Sequence, residues 1–118
     1  MEIKIFDAEY RFMCIVWEKE PIASPVLVRL CNEEFGWKKS TTYSVIKRLF
    51  ERGALKNEKT IVTSCVSQLQ VQKYESEKIL EKTFENSLPS FITAFLQDKK
   101  LTQDEANQIK HMIEEATK

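Results

Sequence analysis

Glycine occurs only twice in 118 residues, at Gly36 and Gly53, and each one closes an amphipathic run. Glycine takes a positive φ at no steric cost, so it is where a chain most readily stops a helix. With two glycines and three prolines, this chain has few places to reverse. That excludes collagen-like and linker-like chains and most small all-β folds. The many Glu, Lys, Leu and Ile residues favour helices instead. A composition that is 42% hydrophobic and 31% charged is globular rather than disordered. The expected class is mainly α with a small β-hairpin.

The apolar spacing places the elements. Over residues 8–18, Phe12, Ile15 and Val16 form one helical face, widened by Met13 and Trp17. Asp7 is placed to cap the first turn and Phe6 to begin a hydrophobic staple. Pro21 marks the end of this helix. Ser24-Pro25 reads as an N-cap followed by proline at the first helical position. Val26, Leu27, Leu30 and Cys31 carry the second helix to Phe35, and Gly36 caps it. A third helix runs over residues 40–52, opened by Ser40 or a neighbour and closed by Gly53. Val45, Ile46, Leu49 and Phe50 make its apolar stripe, with Thr41, Tyr43, Ser44, Lys47 and Arg48 largely off it. Residues 54–56 and the β-branched run 60–66 then read as two strands of a short hairpin.

Three short helices followed by a hairpin describe a winged helix–turn–helix over residues 1–66. In such a domain the third helix enters the major groove of DNA and the hairpin touches the backbone. Charge agrees with that reading. Although the formal net charge is zero, residues 38–59 carry Lys38, Lys39, Lys47, Arg48, Arg52, Lys56 and Lys59 against Glu51 and Glu58. A basic block on a neutral protein suggests a local anion-binding face. Lys38, Lys39, Lys47 and Arg48 are the candidate phosphate contacts. Ser40, Thr41, Tyr43 and Ser44 are the candidates for base edges, because hydroxyls and a phenol can reach them. Trp17 and Trp37 are expected at the core, and His111 at the surface.

Residues 67–118 read as helices over 67–84, 88–97 and from Thr102 onward. Thr102-Gln103-Asp104-Glu105 makes a capping box for the last. So short a region buries little surface by itself. Leu80, Phe84, Leu88, Phe91, Ile92, Phe95, Leu96, Ile109 and Ile113 are therefore expected to meet the same helices of a second chain, as a homodimerisation region.

Other chemistry finds little support. Cys14, Cys31 and Cys65 are widely spaced, odd in number and lack a CxxC pair. They read as small core hydrophobes rather than disulfides or metal ligands. The lone His111 has no cysteine near it in sequence, and Gly36 and Gly53 are too far apart for a phosphate loop. No enzyme, metal or cofactor is expected. No apolar run approaches the ~18–20 residues of a membrane span. The opening Met1-Glu2-Ile3-Lys4 is too polar for an export signal, so no membrane insertion and a cytoplasmic location are expected.

Three segments, in order, resemble the penicillinase-repressor (BlaI/MecI) family. Residues 7–17, Asp-Ala-Glu-Tyr-Arg-Phe-Met-Cys-Ile-Val-Trp, are similar to its first helix. Residues 37–53, from Trp37 through Thr41 and Arg48-Leu49 to Gly53, look like its recognition helix. Asn86-Ser87-Leu88, Ala94-Phe95-Leu96 and Leu101-Thr102-Gln103-Asp104-Glu105 resemble its dimerisation helices. The resemblance implies a dimeric winged-helix repressor that binds double-stranded operator DNA at β-lactam (antibiotic) resistance genes. It further implies relief through a membrane sensor-protease system, with cleavage at the bond matching Ala94-Phe95. By position, Ser40, Thr41, Tyr43 and Ser44 match DNA-facing residues. The sequence departs from the family where Ala94 replaces an asparagine and where the hairpin lacks Arg and aromatic residues. It also lacks the C-terminal cysteine cluster of copper-responsive relatives. The alternative is a winged-helix protein–protein adaptor without DNA binding, since one fold serves both.

Overall fold

A computed structural model describes residues 4–118. The opening residues Met1-Glu2-Ile3, which bear on the export-signal expectation, lie outside the described residues. The chain falls into two compact units, Met1–Lys78 and Ile79–Lys118. The division lies within the fourth helix, beyond the expected boundary at residue 66.

The first unit holds α1 (Asp7–Lys19), β1 (Ile22–Ala23), α2 (Ser24–Phe35), α3 (Lys39–Glu51), β2 (Leu55–Glu58) and β3 (Ile61–Ser64). The start of α4 (Gln68–Phe84) also belongs to it. The sheet is antiparallel in the order β1-β3-β2, with Ile22 opposite Val62 and Asn57 opposite Val62 on the other side. The hairpin is thus present, but β2 runs further than expected and its turn is only Lys59-Thr60. β1 is a third strand that periodicity could not reveal, because two residues between Pro21 and Pro25 carry no alternation.

Two caps differ from expectation. Phe6, not Asp7, is the N-cap of α1, and its backbone N–H donates to Glu9 Oε1 at 3.0 Å. Asp7 becomes the first helical residue, where its charge still complements the helix dipole. Ala23 is the N-cap of α2, because Ser24 N–H continues the sheet by donating to Thr60 O at 2.7 Å. Ser24 is buried. Gly36 does end α2 as expected, at φ 71°.

The core joins one face of each helix to the sheet. Phe12, Met13 and Val16 of α1, Leu27 and Cys31 of α2, and Val45, Ile46 and Leu49 of α3 close on Leu55 and Val62. Burying each large side chain contributes about 1.5–3 kcal/mol. Trp17 and Trp37 sit half-buried at its edge. The Trp17 indole N–H donates to Val66 O at 2.8 Å, and Trp37 stacks on Phe12 with ring centroids 6.3 Å apart. Of the cysteines, only Cys31 is a core residue. Cys14 is half-buried and Cys65, just past β3, is exposed. Phe50 also departs from the apolar stripe, with 54% of its surface exposed on α3.

α4 starts with a reciprocal cap between Ser67 and Gln70, at 2.8 and 3.0 Å. It buries Val71, and Gln68 donates to the Tyr10 hydroxyl at 3.1 Å. These contacts tie its first turns to the winged unit. The sequence boundary at residue 66 separated α4 from a core that it helps to close.

The second unit contains the end of α4, α5 (Leu88–Phe95) and α6 (Gln103–Ala116). Thr102 caps α6 through Glu105 N at 3.1 Å, and the Glu105 carboxylate accepts from Thr102 N–H at 3.1 Å. Phe84, Phe91 and Phe95 form an aromatic row, with centroids 5.3 and 5.8 Å apart. Neither α5 nor α6 has a buried residue.

Candidate nucleic-acid interface

α3 follows the Gly36 turn and is held by its Thr42, Val45, Ile46 and Leu49 side, which is buried. Helical geometry then fixes what the opposite side offers. Ser40, Ser44, Lys47 and Glu51 follow one another at i, i+4, i+7 and i+11 along the outer line, and all four are exposed. Lys39, Tyr43 and Phe50 lie on the flank toward β2. Thr41, Arg48 and Arg52 lie on the flank toward α1.

The candidate residues do not occupy equivalent places. Lys38, Lys39, Ser40, Thr41, Ser44, Lys47 and Arg48 are all exposed. Tyr43 is half-buried and packs against the core, with Lys39 Nζ 6.0 Å from its ring centroid. Tyr43, Ile46, Lys47, Phe50 and Asn57 line a shallow groove of about 220 Å³ between α3 and β2. At the start of α3, Thr41 N–H already donates to Lys38 O at 3.0 Å, which leaves the N–H groups of Lys39 and Ser40 as the ones without an intrahelical acceptor. The N-cap side chain, Lys38, does not supply one. A helix start of this kind, beside Lys38 and Lys39, suits a phosphate oxygen.

Glu9 was not singled out by its sequence position, yet it organises one flank. It is 4% exposed, and its carboxylate meets Arg52 in an ion pair and Arg48 Nε at 3.5 Å. Arg52 also donates to Lys4 O at 2.7 Å. Burial works to raise the Glu9 pKa. The Arg52 hydrogen bond, the Phe6 N–H and the charges of both arginines outweigh it, so the carboxyl lies below its ordinary value of 4.5. Two cations of the basic block thus face an acid from α1. Arg48 remains 57% exposed and keeps donors free for a phosphate. Among the described residues, Lys38, Lys39, Lys47, Lys56 and Lys59 have no ion-pair partner.

The buried face of α3 holds one unsettled atom. Thr42 Oγ1 is buried without a conventional hydrogen-bond partner, beside the weakly polar Cys31 thiol. Burial pushes that thiol pKa up, partly offset by the Thr42 hydroxyl.

Three packed helices, a three-stranded sheet and a third helix with an outward polar face define a winged helix–turn–helix. The penicillinase repressor family model matches residues 5–115, and the chain belongs to that family. It is 23% identical over 116 residues to the penicillinase repressor of Bacillus licheniformis, covering 95% of this chain and 91% of that one. It is 22% identical over 114 residues to the methicillin resistance regulatory protein MecI of Staphylococcus aureus strain Mu50, covering 93% of each. The solution structure of the DNA-binding domain of the repressor BlaI matches with a TM-score of 0.54 and 22% identity, over 58% of this chain and 88% of that one. The Bacillus licheniformis BlaI monomeric form in complex with the blaP half-operator matches at 0.53 and 22%, over 59% and 90%. Among the described residues, no helix is long and apolar enough to cross a membrane.

Proposed function

We propose that the chain is a homodimeric transcriptional repressor that reads operator DNA with α3. The observation that carries this is the outer side of α3: exposed hydroxyls and lysines that have no ion-pair partner among the described residues, on a helix whose other side is fixed in the core. Lys38, Lys39, Lys47 and Arg48 contact phosphates, while Ser40, Thr41, Tyr43 and Ser44 meet base edges. The named functions of the relatives make β-lactam resistance genes the first targets to test.

The second unit supplies the dimer. Leu88, Ile92, Phe95, Ile109 and Ile113 are exposed apolar residues, whereas Leu80, Phe84, Phe91 and Leu96 are half-buried within the unit. Isolated helices with so much bare apolar surface gain most by meeting a second copy. Cleavage between Ala94 and Phe95, at the exposed end of α5, by a membrane sensor-protease system is the proposed release step. It would divide the apolar run and weaken the dimer while leaving α3 intact.

Salt dependence tests the DNA-binding reading. Each neutralised phosphate adds a slope of about −0.9 to log K against log salt. Lys47→Ala is expected to weaken binding to all duplexes alike and to flatten that slope by roughly one. Fluorescence anisotropy with a labelled duplex at several salt concentrations measures both. No binding at low salt would instead favour the adaptor.

A further inference from the structure

Arg48 and Arg52 share one carboxylate, yet only Arg52 is fully engaged. The buried Glu9 has both oxygens fixed: Oε1 accepts from Phe6 N–H at 3.0 Å, and Oε2 pairs with Arg52. Arg52 also donates to Lys4 O at 2.7 Å and lies 5.6 Å from the Phe6 ring centroid. Arg48 meets the same Oε2 with its Nε at 3.5 Å. Its side chain stays exposed, and its terminal nitrogens have no hydrogen-bond acceptor among the described residues. It stands seven residues after Thr41, two turns along the same flank of α3. Two arginines around one carboxylate leave one positive charge. With Arg52 tied inward, that charge is presented at the outer end of Arg48.

We infer that Glu9 is a positioning residue for DNA binding: its carboxylate holds the Nε side of Arg48, so that the two terminal nitrogens meet a backbone phosphate already oriented. This rests on the reading of α3 as the DNA-contacting helix. The guanidinium is a rigid planar fork, so fixing its Nε side also fixes the direction of its remaining donors. Such a fork suits two parallel hydrogen bonds to phosphate oxygens. An arginine that is loose before binding must be immobilised on docking, which weakens binding by about 2–12-fold. A pair between two exposed side chains would gain little, because both would need ordering. Here the acid is already held by Phe6 N–H and Arg52. Simple charge works the other way, since a carboxylate near the DNA repels phosphate. Arg52 offsets that repulsion. Positioning and repulsion therefore predict opposite signs when Glu9 loses its charge.

The test uses a duplex selected from a random-sequence pool by the full-length protein and then cut to one half-site. Fluorescence anisotropy at several salt concentrations gives affinity and salt slope, at a temperature where circular dichroism shows every variant folded. Glu9→Gln is expected to weaken binding by about 2–12-fold, with the salt slope unchanged because the cation remains. Arg48→Lys keeps the charge and loses the fork. It should cost a similar factor in the wild-type background and less than about twofold beside Glu9→Gln. A Glu9 that served only the fold would leave the two substitutions independent. Should Glu9→Gln not fold, Glu9→Asp keeps the charge, draws the carboxylate back by one methylene, and is expected to weaken binding in the same way. Binding that tightens or stays unchanged when Glu9 is replaced overturns the inference. So does an Arg48→Lys cost that is equal in both backgrounds. If the wild-type protein selects no duplex even at low salt, the DNA-binding reading itself fails, and this inference with it.

Discussion

Glu9 shows how one buried charge shapes the site. Its carboxylate is held below its ordinary pKa by Arg52, Phe6 N–H and Arg48, against the opposing effect of burial. The ionised form therefore stabilises the fold. That contribution is complete above the unfolded carboxylate value and is lost as pH falls through the lower folded value. Glu9→Gln is expected to cost about 1–3 kcal/mol at pH 7, since both arginines can turn toward solvent. The gap from wild type should narrow as pH falls below about 4, a trend that urea unfolding at a series of pH values measures. Thr42 makes the opposite case. Its buried hydroxyl lacks a conventional partner, a situation that costs about 1–3 kcal/mol. Thr42→Val keeps the shape, loses the hydroxyl, and is expected to raise the thermal midpoint. A lower midpoint would show that the Cys31 contact is worth more than the desolvation.

Among the elements, the hairpin carries the clearest strain. Lys59 and Thr60 take φ of 51° and 66° in its two-residue turn, a region that favours glycine or asparagine. A β-branched residue there is strained by about 1–2 kcal/mol. The Ser24 N–H bond to Thr60 O helps to hold the turn, so the wing tip is anchored to the start of α2. Thr60→Gly keeps that backbone bond and is expected to stabilise the protein by about 0.5–1 kcal/mol in denaturant unfolding, after the entropic cost of glycine. α3 shows what pattern can and cannot place. Val45, Ile46 and Leu49 are buried as their spacing implies, but Phe50 is exposed and Tyr43 half-buried. Both lie on the border between the two sides of the helix, where the position of β2 decides.

For the whole molecule, the contrast between the two units matters most. The first has a continuous core, whereas α5 and α6 have no buried residue. If the second unit is the proposed dimer interface, Ile92→Asp with Ile113→Asp should yield a monomer in sedimentation equilibrium. Neither residue is buried within its own unit, so the helical signal should persist. Binding to a palindromic operator should fall by about 10²–10⁴-fold through lost avidity, with half-site affinity unchanged. A dimer that survives both substitutions would place the interface elsewhere.

The sequence by itself determined the helices, the hairpin, the glycine stop at Gly36 and the Thr102 capping box, because these depend on periodicity and on contacts within a few residues. It also carried the outward polar side of α3, since a 3.6-residue period separates buried from exposed positions whatever the partner. Only the tertiary structure decided that β1 pairs with β3, that α4 closes the winged core, and that Glu9 meets two arginines about 40 residues away. Those outcomes depend on which surfaces meet in space. A two-residue strand carries no period of its own. A buried acid looks like any exposed one until its partners arrive, and a boundary drawn where strands give way to helix cannot tell which core the helix joins.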